Sequence, residues 1–524
     1  YTELPTKRII KKKSWAENCF HNVLCLSEAK GMDISMKVIE KNLCKYLLEN
    51  KKDSSKVALY YGNTEYTYRE IYYQVDTYGE YLRTRLSLGS KIIIHIKDQP
   101  QSIFLFLGAI KVGIHPIILN RNHNIENIMD TLEREKIKLV ICDYNKNNDI
   151  RFIHIDNLTL NYEKTSAEFW AYETKVFSIF SSGSSGKPKL ISHSFDDVLT
   201  CIKSSDENIM HVQESDVFYS QSSLAFAYGI VSSIFIPFAF GASTIVNTNG
   251  DVFEIVRTVQ EKKPTLFFAV PIIYKNLIRM AKISDLDFSS VRVFLSAGEL
   301  MPPKIITEWE FIFKKTILQG IGSTELLYLY ISNTLCENKA GSLGKVLKGY
   351  NVEIRDENGK KILGPDKIGE LSVSGNSLST DIIDSNEVFI ENEHVWLKTG
   401  DLVKIDSENF YWYMGRVSDS FKINGSWVDS NKIANILNKH PKVKEAVISG
   451  KLSKDEPTKI VAYIEEEKYI SECDIKELKA MVSKSLGREF IPYMFYIVNE
   501  LPRNANGKID RKKLLVEIND TRAY

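Results

Sequence analysis

The chain has 524 residues, 44% of them hydrophobic and 26% charged, ordinary values for a folded globular protein and against extensive disorder. Lys+Arg 68 against Asp+Glu 67 leaves +1, so no global field is present to hold nucleic acid or an anionic membrane, and the expected partners are small molecules. At roughly 100–200 residues per domain, the length allows about three to five packing units.

Residues 1–30 are basic early (Lys7, Arg8, Lys11, Lys12, Lys13) without a clear period, and are expected to be a linker or an expression remnant. The start at Tyr1 rather than Met fits a trimmed chain, and no charged start followed by an apolar segment is present. From about residue 56 the pattern is ordered. Val57–Tyr60 reads as a strand, and Thr67 with Glu70 three residues on is a capping box opening a helix with Ile71, Val75, Tyr78 and Leu82 on one face. Lys91–Ile96 is a buried strand, Ser102–Val112 a helix stopped at Gly113, and Ile114–Leu119 and Leu139–Cys142 are further strands. The most lipid-like stretch, Ile103–Leu119, contains Lys111, Gly113, His115 and Pro116; a span needs about 20 apolar residues, so it reads as core and the chain as a cytosolic protein. Strand and helix alternate to about residue 410, with apolar runs at Thr265–Val270 and Val291–Leu295, the pattern of a parallel α/β sheet.

Asn351–Arg355, the turn Asn358-Gly359 and Gly369–Val373 read instead as a short antiparallel section. After a boundary near 416–419 comes a compact α+β stretch, with a strand over 458–464 and a helix over 474–486 carrying Ile475, Leu478, Val482 and Leu486 on one stripe. The expected organisation is an α/β N-terminal domain of layered subdomains over 31–416 and a small mobile C-terminal domain over 417–524. Seven cysteines (19, 25, 44, 142, 201, 336, 473) form no CxxC pair and no His/Cys cluster, which favours reduced thiols over disulfides or zinc.

The strand Phe177–Phe180 runs into Ser181-Ser-Gly-Ser-Ser-Gly-Lys-Pro-Lys189. Gly183 and Gly186 let backbone approach an anion, Ser181, Ser182, Ser184 and Ser185 offer hydroxyl donors, and Lys187 and Lys189 supply charge, so this loop suits phosphate. It is not a Walker A loop, because two residues rather than four separate the glycines and Pro188 follows Lys187. Gly320-Ile-Gly-Ser-Thr-Glu325 begins like a dinucleotide fingerprint but has Glu325 in place of its third glycine.

Five further segments follow in order: Ser296-Ala-Gly-Glu299, Gln319-Gly-Ile-Gly-Ser-Thr-Glu325, Lys398-Thr-Gly-Asp401, Gly415-Arg-Val-Ser-Asp419 and Pro502-Arg-Asn-Ala-Asn-Gly-Lys-Ile-Asp-Arg511. With the loop at 181 they resemble the adenylate-forming superfamily of acyl-CoA synthetases, peptide-synthetase adenylation domains and luciferases, over roughly residues 50–515. Leu224-Ala-Phe-Ala-Tyr-Gly229, Pro264–Pro271, Ile321–Leu327 with Ser332-Asn333, and Tyr411–Gly415 with Gly425–Val428 are most similar to the benzoate–CoA ligase group.

The resemblance implies an acid–thiol ligase that uses ATP and Mg²⁺. It implies that the 181 loop holds the triphosphate, with Thr324 at the α-phosphate and Glu325 as the Mg²⁺ ligand. Gly298 and Glu299 would line the adenine pocket, Gln319, Gly320 and Ser323 would also bind the nucleotide, and Asp401 with Arg416 would take the ribose. Lys508 would bridge the substrate carboxylate and the α-phosphate. After rotation of the small domain about Ser418 and Asp419, Lys422 and Gly425 would face the site and Gly425 would leave room for pantetheine. Phe226, Ala227, Tyr228, Gly229, Gly322 and Tyr328 would form the pocket of a small aromatic carboxylic acid, Phe226 and Tyr228 being its flat walls. The acceptor is either coenzyme A or the phosphopantetheine of a carrier protein; a degenerate nucleotide-binding protein is the non-enzymatic alternative, disfavoured because Thr324, Glu325, Asp401 and Lys508 are all present. Departures from the group are Leu190 for a glycine, Gln319 for an aspartate, Tyr328 for a histidine, Ser418 for the usual hinge residue, and Lys432 and Ala434 for acidic residues.

Overall fold

The computed structural model describes residues 41–123, 129–144, 149, 151–158, 160, 174–181, 189–246, 251–383, 385–417, 421–423, 426–428, 430–451, 459–502, 509, 513, 514 and 522–524. Among them the strands form five sheets, in a large N-terminal α/β part and a smaller C-terminal α+β part.

A six-stranded sheet holds, in spatial order, Phe152–His154, Leu139–Cys142, Lys91–His95, His115–Ile118, Phe177–Ser181 and Lys189–His193. All its pairs are parallel except the last, where Lys189–His193 turns back antiparallel. A nine-stranded sheet has a parallel centre built from Val57–Tyr61, Ser243–Ile245, Val217–Ser220, Leu266–Ala269, Val293–Ser296 and Ile317–Gly322. Strands buried on both faces need near-continuous apolar runs, which is why Leu266–Ala269 and Val293–Ser296 are buried at every position.

The helices begin where local chemistry dictates. Thr67 and Glu70 exchange their capping bonds, Thr67 N–H to Glu70 Oε2 at 2.7 Å and Glu70 N–H to Thr67 Oγ1 at 3.2 Å, and open Tyr68–Arg83. The helix expected over Ser102–Val112 runs over Pro100–Lys111, because proline suits the first helical position and Ser102 caps Gln99. The helix expected over 474–486 starts at Glu472, since Asp474 is the third residue of a box closed by Ser471.

The antiparallel section is a five-stranded sheet in which Tyr350–Arg355, Gly369–Gly375, His394–Ile405 and Val388–Glu391 lie side by side and Tyr411–Arg416 pairs with His394–Ile405. The C-terminal part has its own sheet of Val443–Lys451, Lys459–Glu466, Met494–Val498 and Arg522–Ala523, and its own core around Ile433, Leu437, Ile464, Leu478 and Phe495. No helix among the described residues is long and apolar enough to cross a membrane.

Candidate active site

The strand Ile317–Gly322 delivers its end into a single 3-10 turn, Thr324–Leu326. Three carbonyls of that turn are held from outside. Thr324 O lies 2.8 Å from His193 Nε2, Glu325 O accepts from Ser379 N–H at 2.9 Å, and Leu326 O accepts from Ser377 Oγ at 2.9 Å. The Thr324 and Glu325 side chains themselves are half-buried. Leu327 follows at φ 64°, the centre of a γ-turn closed by Tyr328 N–H to Leu326 O at 2.8 Å. That conformation is strained for a branched side chain, and strain of this kind collects at functional turns. Gly322 is required here, since a Cβ on it would lie 2.3 Å from Tyr328 O.

Asp401 and Arg416 face each other across adjacent antiparallel strands, with Arg416 Nε 3.0 Å from Asp401 Oδ1. Asp401 is buried and its carboxyl is pushed up to about 6, mainly by loss of solvent, with Arg416 working against the shift and the negative charges of Glu325 and Glu370 adding to it. Glu325 and Asp401 therefore share one electrostatic neighbourhood, and both add to burial in pushing up the phenol of Tyr330. Gly298 and Glu299 are exposed beyond the strand Val293–Ser296. Gln319 is 1% exposed, and neither atom of its amide has a hydrogen-bond partner among the described residues; the same is true of Ser296 Oγ, on the neighbouring strand in register with it, and of Ser323 Oγ. Buried polar atoms are almost always paired, so donors and acceptors are concentrated here ready for a polar ligand.

Ser181 stands opposite Lys189 where the strands Phe177–Ser181 and Lys189–His193 pair antiparallel. Ser182, Gly183, Ser184, Ser185, Gly186 and Lys187 lie outside the described residues. Ser181 is buried, and its Oγ has no partner among the described residues. Lys189 Nζ sits 3.0 Å from both carboxylate oxygens of Glu387, just before the strand Val388–Glu391, an ion pair that ties the six-stranded sheet to the antiparallel section.

Of the residues expected to wall an aromatic pocket, Phe226 is 46% exposed, and Tyr228 stacks on Tyr328, ring centroids 5.9 Å apart at 24°. Two flat rings offset in this way are a favourable aromatic pair. Tyr228 is anchored by its hydroxyl, which donates to Leu295 O at 2.8 Å. Tyr328 is 2% exposed, its hydroxyl has no partner among the described residues, and burial raises its phenol well above the ordinary value, so it stays a neutral donor. Ala227 is buried beside them, and Gly229 is needed because a Cβ there would lie 2.0 Å from Ser223 O.

Lys422 lies on the strand Phe421–Ile423, paired with Trp427 of Ser426–Val428. Ser418, Asp419, Gly425 and Lys508 lie outside the described residues. The residue that sequence reasoning missed is His193, which links the strand Lys189–His193 to Thr324. Its signal was legible: a histidine ending the strand after the loop, followed by the capping pair Ser194 and Asp197.

Glu325, Asp401 and Arg416, and the stacked Tyr228 and Tyr328, are the principal features of the candidate site among the described residues. Residues 49–381 match the family described as AMP-binding enzyme, and residues 432–508 match the AMP-binding enzyme C-terminal domain. The chain belongs to the AMP-binding enzyme family. It is 30% identical over 481 residues to a benzoate–CoA ligase of Thauera aromatica, covering 86% of this chain and 90% of that protein. Its fold is similar to the crystal structure of a benzoate CoA ligase from Burkholderia xenovorans LB400 (TM-score 0.75, 26% identity, 90% and 99% of the two chains). It is also similar to that of the anthranilate CoA ligase AuaEII in complex with anthranoyl-AMP (TM-score 0.77, 23% identity, 92% and 98%). Within the family the chain is an acid–thiol ligase.

Proposed function

We propose that the chain is an aryl acid–CoA ligase acting on benzoate or a hydroxybenzoate. A carboxylate oxygen of the acid attacks the α-phosphorus of ATP, the bond to the bridging oxygen breaks and pyrophosphate leaves. The thiol of coenzyme A then attacks the acyl carbonyl of the aryl-AMP, AMP departs with the bonding electrons and the thiol proton passes to solvent.

The observation that carries this reading is the stacked Tyr228–Tyr328 wall, whose second ring stands three residues after Glu325. A flat acid lying against it keeps few rotatable bonds to freeze, whereas a fatty chain would lose more rotamer freedom on binding. The carboxylate and the triphosphate are both anions, so the site must neutralise charge and hold the partners in line. Thr324 would donate to the α-phosphate, Asp401 would accept from the ribose hydroxyls with Arg416 steadying its charge, and the donors of the 181 loop would take the outer phosphates. Glu325, a half-buried carboxylate beside Thr324, suits a hard cation that prefers oxygen, and would hold Mg²⁺, which when bound neutralises phosphate charge. Lys508 would bridge the two anions from the small domain, over 417–524, which would turn about Ser418 and Asp419 to bring Lys422 and Gly425 to the site for the thiol step. The names of the relatives support both the aromatic acid and coenzyme A.

The deciding experiment is ATP–pyrophosphate exchange across benzoate, the hydroxybenzoates, anthranilate and octanoate, followed by thioester formation with coenzyme A and, separately, with a phosphopantetheinylated carrier protein. Exchange highest with an aryl acid and transfer to coenzyme A are expected. Preference for octanoate over every aryl acid overturns the substrate class, and transfer to the carrier alone overturns the acceptor.

A further inference from the structure

His193 closes the strand Lys189–His193 and is fully buried at 0% exposure. Its ring packs against Phe177, centroids 5.6 Å apart. Nε2 faces the carbonyl oxygen of Thr324 at 2.8 Å, and Nδ1 faces Asp197 Oδ2 at 3.2 Å. A carbonyl oxygen and a carboxylate oxygen only accept. Asp197 also accepts from Ser194 N–H at 3.0 Å and from Ser194 Oγ at 2.7 Å, which fixes its side chain beside the ring. The contact to Thr324 is therefore one in which Nε2–H donates.

The contact joins two parts of the site 131 residues apart in sequence. One is the strand Lys189–His193, and the other is the turn that carries Thr324 and Glu325. Glu325 O and Leu326 O are held by Ser379 and Ser377, from one neighbouring segment. Thr324 O is held by His193 from the opposite side of the sequence, and by the turn's own Leu327 N–H at 3.1 Å. Without the ring the first residue of the turn keeps only that local bond, and its hydroxyl is free to drift.

We propose that His193, anchored by Asp197, is a positioning residue for adenylation: by donating to the Thr324 carbonyl it keeps the Thr324 hydroxyl and Glu325 carboxylate aimed. The inference rests on the role given to Thr324 and Glu325 under Proposed function. It concerns the first half-reaction, in which phosphate geometry matters most, and not transfer of the acyl group from a finished adenylate.

The test compares His193→Leu, which fills the buried space without a donor, with His193→Gln, whose amide nitrogen reaches about as far as Nε2. Each is assayed by ATP–pyrophosphate exchange with the best aryl acid and by thioester formation from pre-made aryl-AMP and coenzyme A, with thermal melting to verify folding. The Leu variant is expected to lose about 30- to 100-fold in exchange kcat, the scale on which misplacement by about an ångström acts, with KM for the acid changed by less than about threefold. The Gln variant should recover exchange to within about fivefold, and transfer in both should stay within about threefold. Should the Leu variant fail to fold, His193→Asn replaces it, since its shorter amide fits the Nδ1 position and cannot reach Thr324. The proposal is overturned if the folded Leu or Asn variant exchanges like the parent, if Gln loses as much as Leu, or if transfer falls as far as exchange. Thr324→Val, run alongside, separates the two levels: full exchange in it overturns the role of Thr324, whereas a large loss in it with none in His193→Leu overturns the role of His193 alone.

Discussion

Replacing Tyr328 by Phe removes one atom, and the structure gives that change two opposite signs. The hydroxyl is buried on a residue 2% exposed and has no partner among the described residues, so in the unliganded protein it is desolvated without compensation. An unmet buried hydroxyl costs about 1–3 kcal/mol, so Tyr328→Phe should stabilise the free protein by about 1 kcal/mol. In the complex with a ring-hydroxylated acid the same hydroxyl is the available donor. Its loss should cost that acid about 1 kcal/mol, or roughly fivefold in kcat/KM, and cost benzoate little. The ring stack with Tyr228 survives in the variant, so the wall itself is unchanged. The control is Tyr228→Phe, whose hydroxyl donates to Leu295 O; that carbonyl also accepts from Tyr274 at 3.0 Å, so the loss should be small and equal for all acids. Pyrophosphate exchange on benzoate and on the three hydroxybenzoates, with denaturant melts of the free proteins, reads both signs. A variant that is less stable than the parent, or that loses equally on benzoate and every hydroxybenzoate, would refute the reasoning.

Asp401 supplies a pH test: its carboxyl, raised from 3.8 to about 6, holds its proton as pH falls through about 6, and the ionised acceptor is lost. KM for ATP should rise roughly tenfold from pH 7 to pH 5, while Asp401→Asn should bind ATP weakly with a flat profile; a profile unchanged by the substitution would contradict the assignment. Gly322→Ala places a Cβ 2.3 Å from Tyr328 O and must displace the turn between them. About 100-fold loss of exchange is expected with the fold retained by circular dichroism, and near-parental exchange would show that the turn adapts freely. Lys508→Ala should abolish exchange yet leave thioester formation from pre-made aryl-AMP largely intact, because the lysine is needed only where two anions meet; equal loss in both steps would point to folding instead.

Much of the architecture was legible in the chain because it is governed by interactions within three or four residues. The Thr67–Glu70 box, the apolar runs at 266–269 and 293–296 and the turn at Asn358-Gly359 each carry their own signal, and strand–helix alternation yields a parallel sheet whatever the distant partners are. The glycine- and serine-rich loop after Phe177–Ser181, and the order of the short motifs after it, were likewise enough to indicate a nucleotide site. What the tertiary structure decided are the pairings between segments far apart. Lys189 meets Glu387 198 residues away, His193 meets Thr324, and Tyr228 stacks on Tyr328. A charge or a ring has many partners of equal local merit, and the choice among them follows from sheet register and from which backbone groups packing leaves to be satisfied.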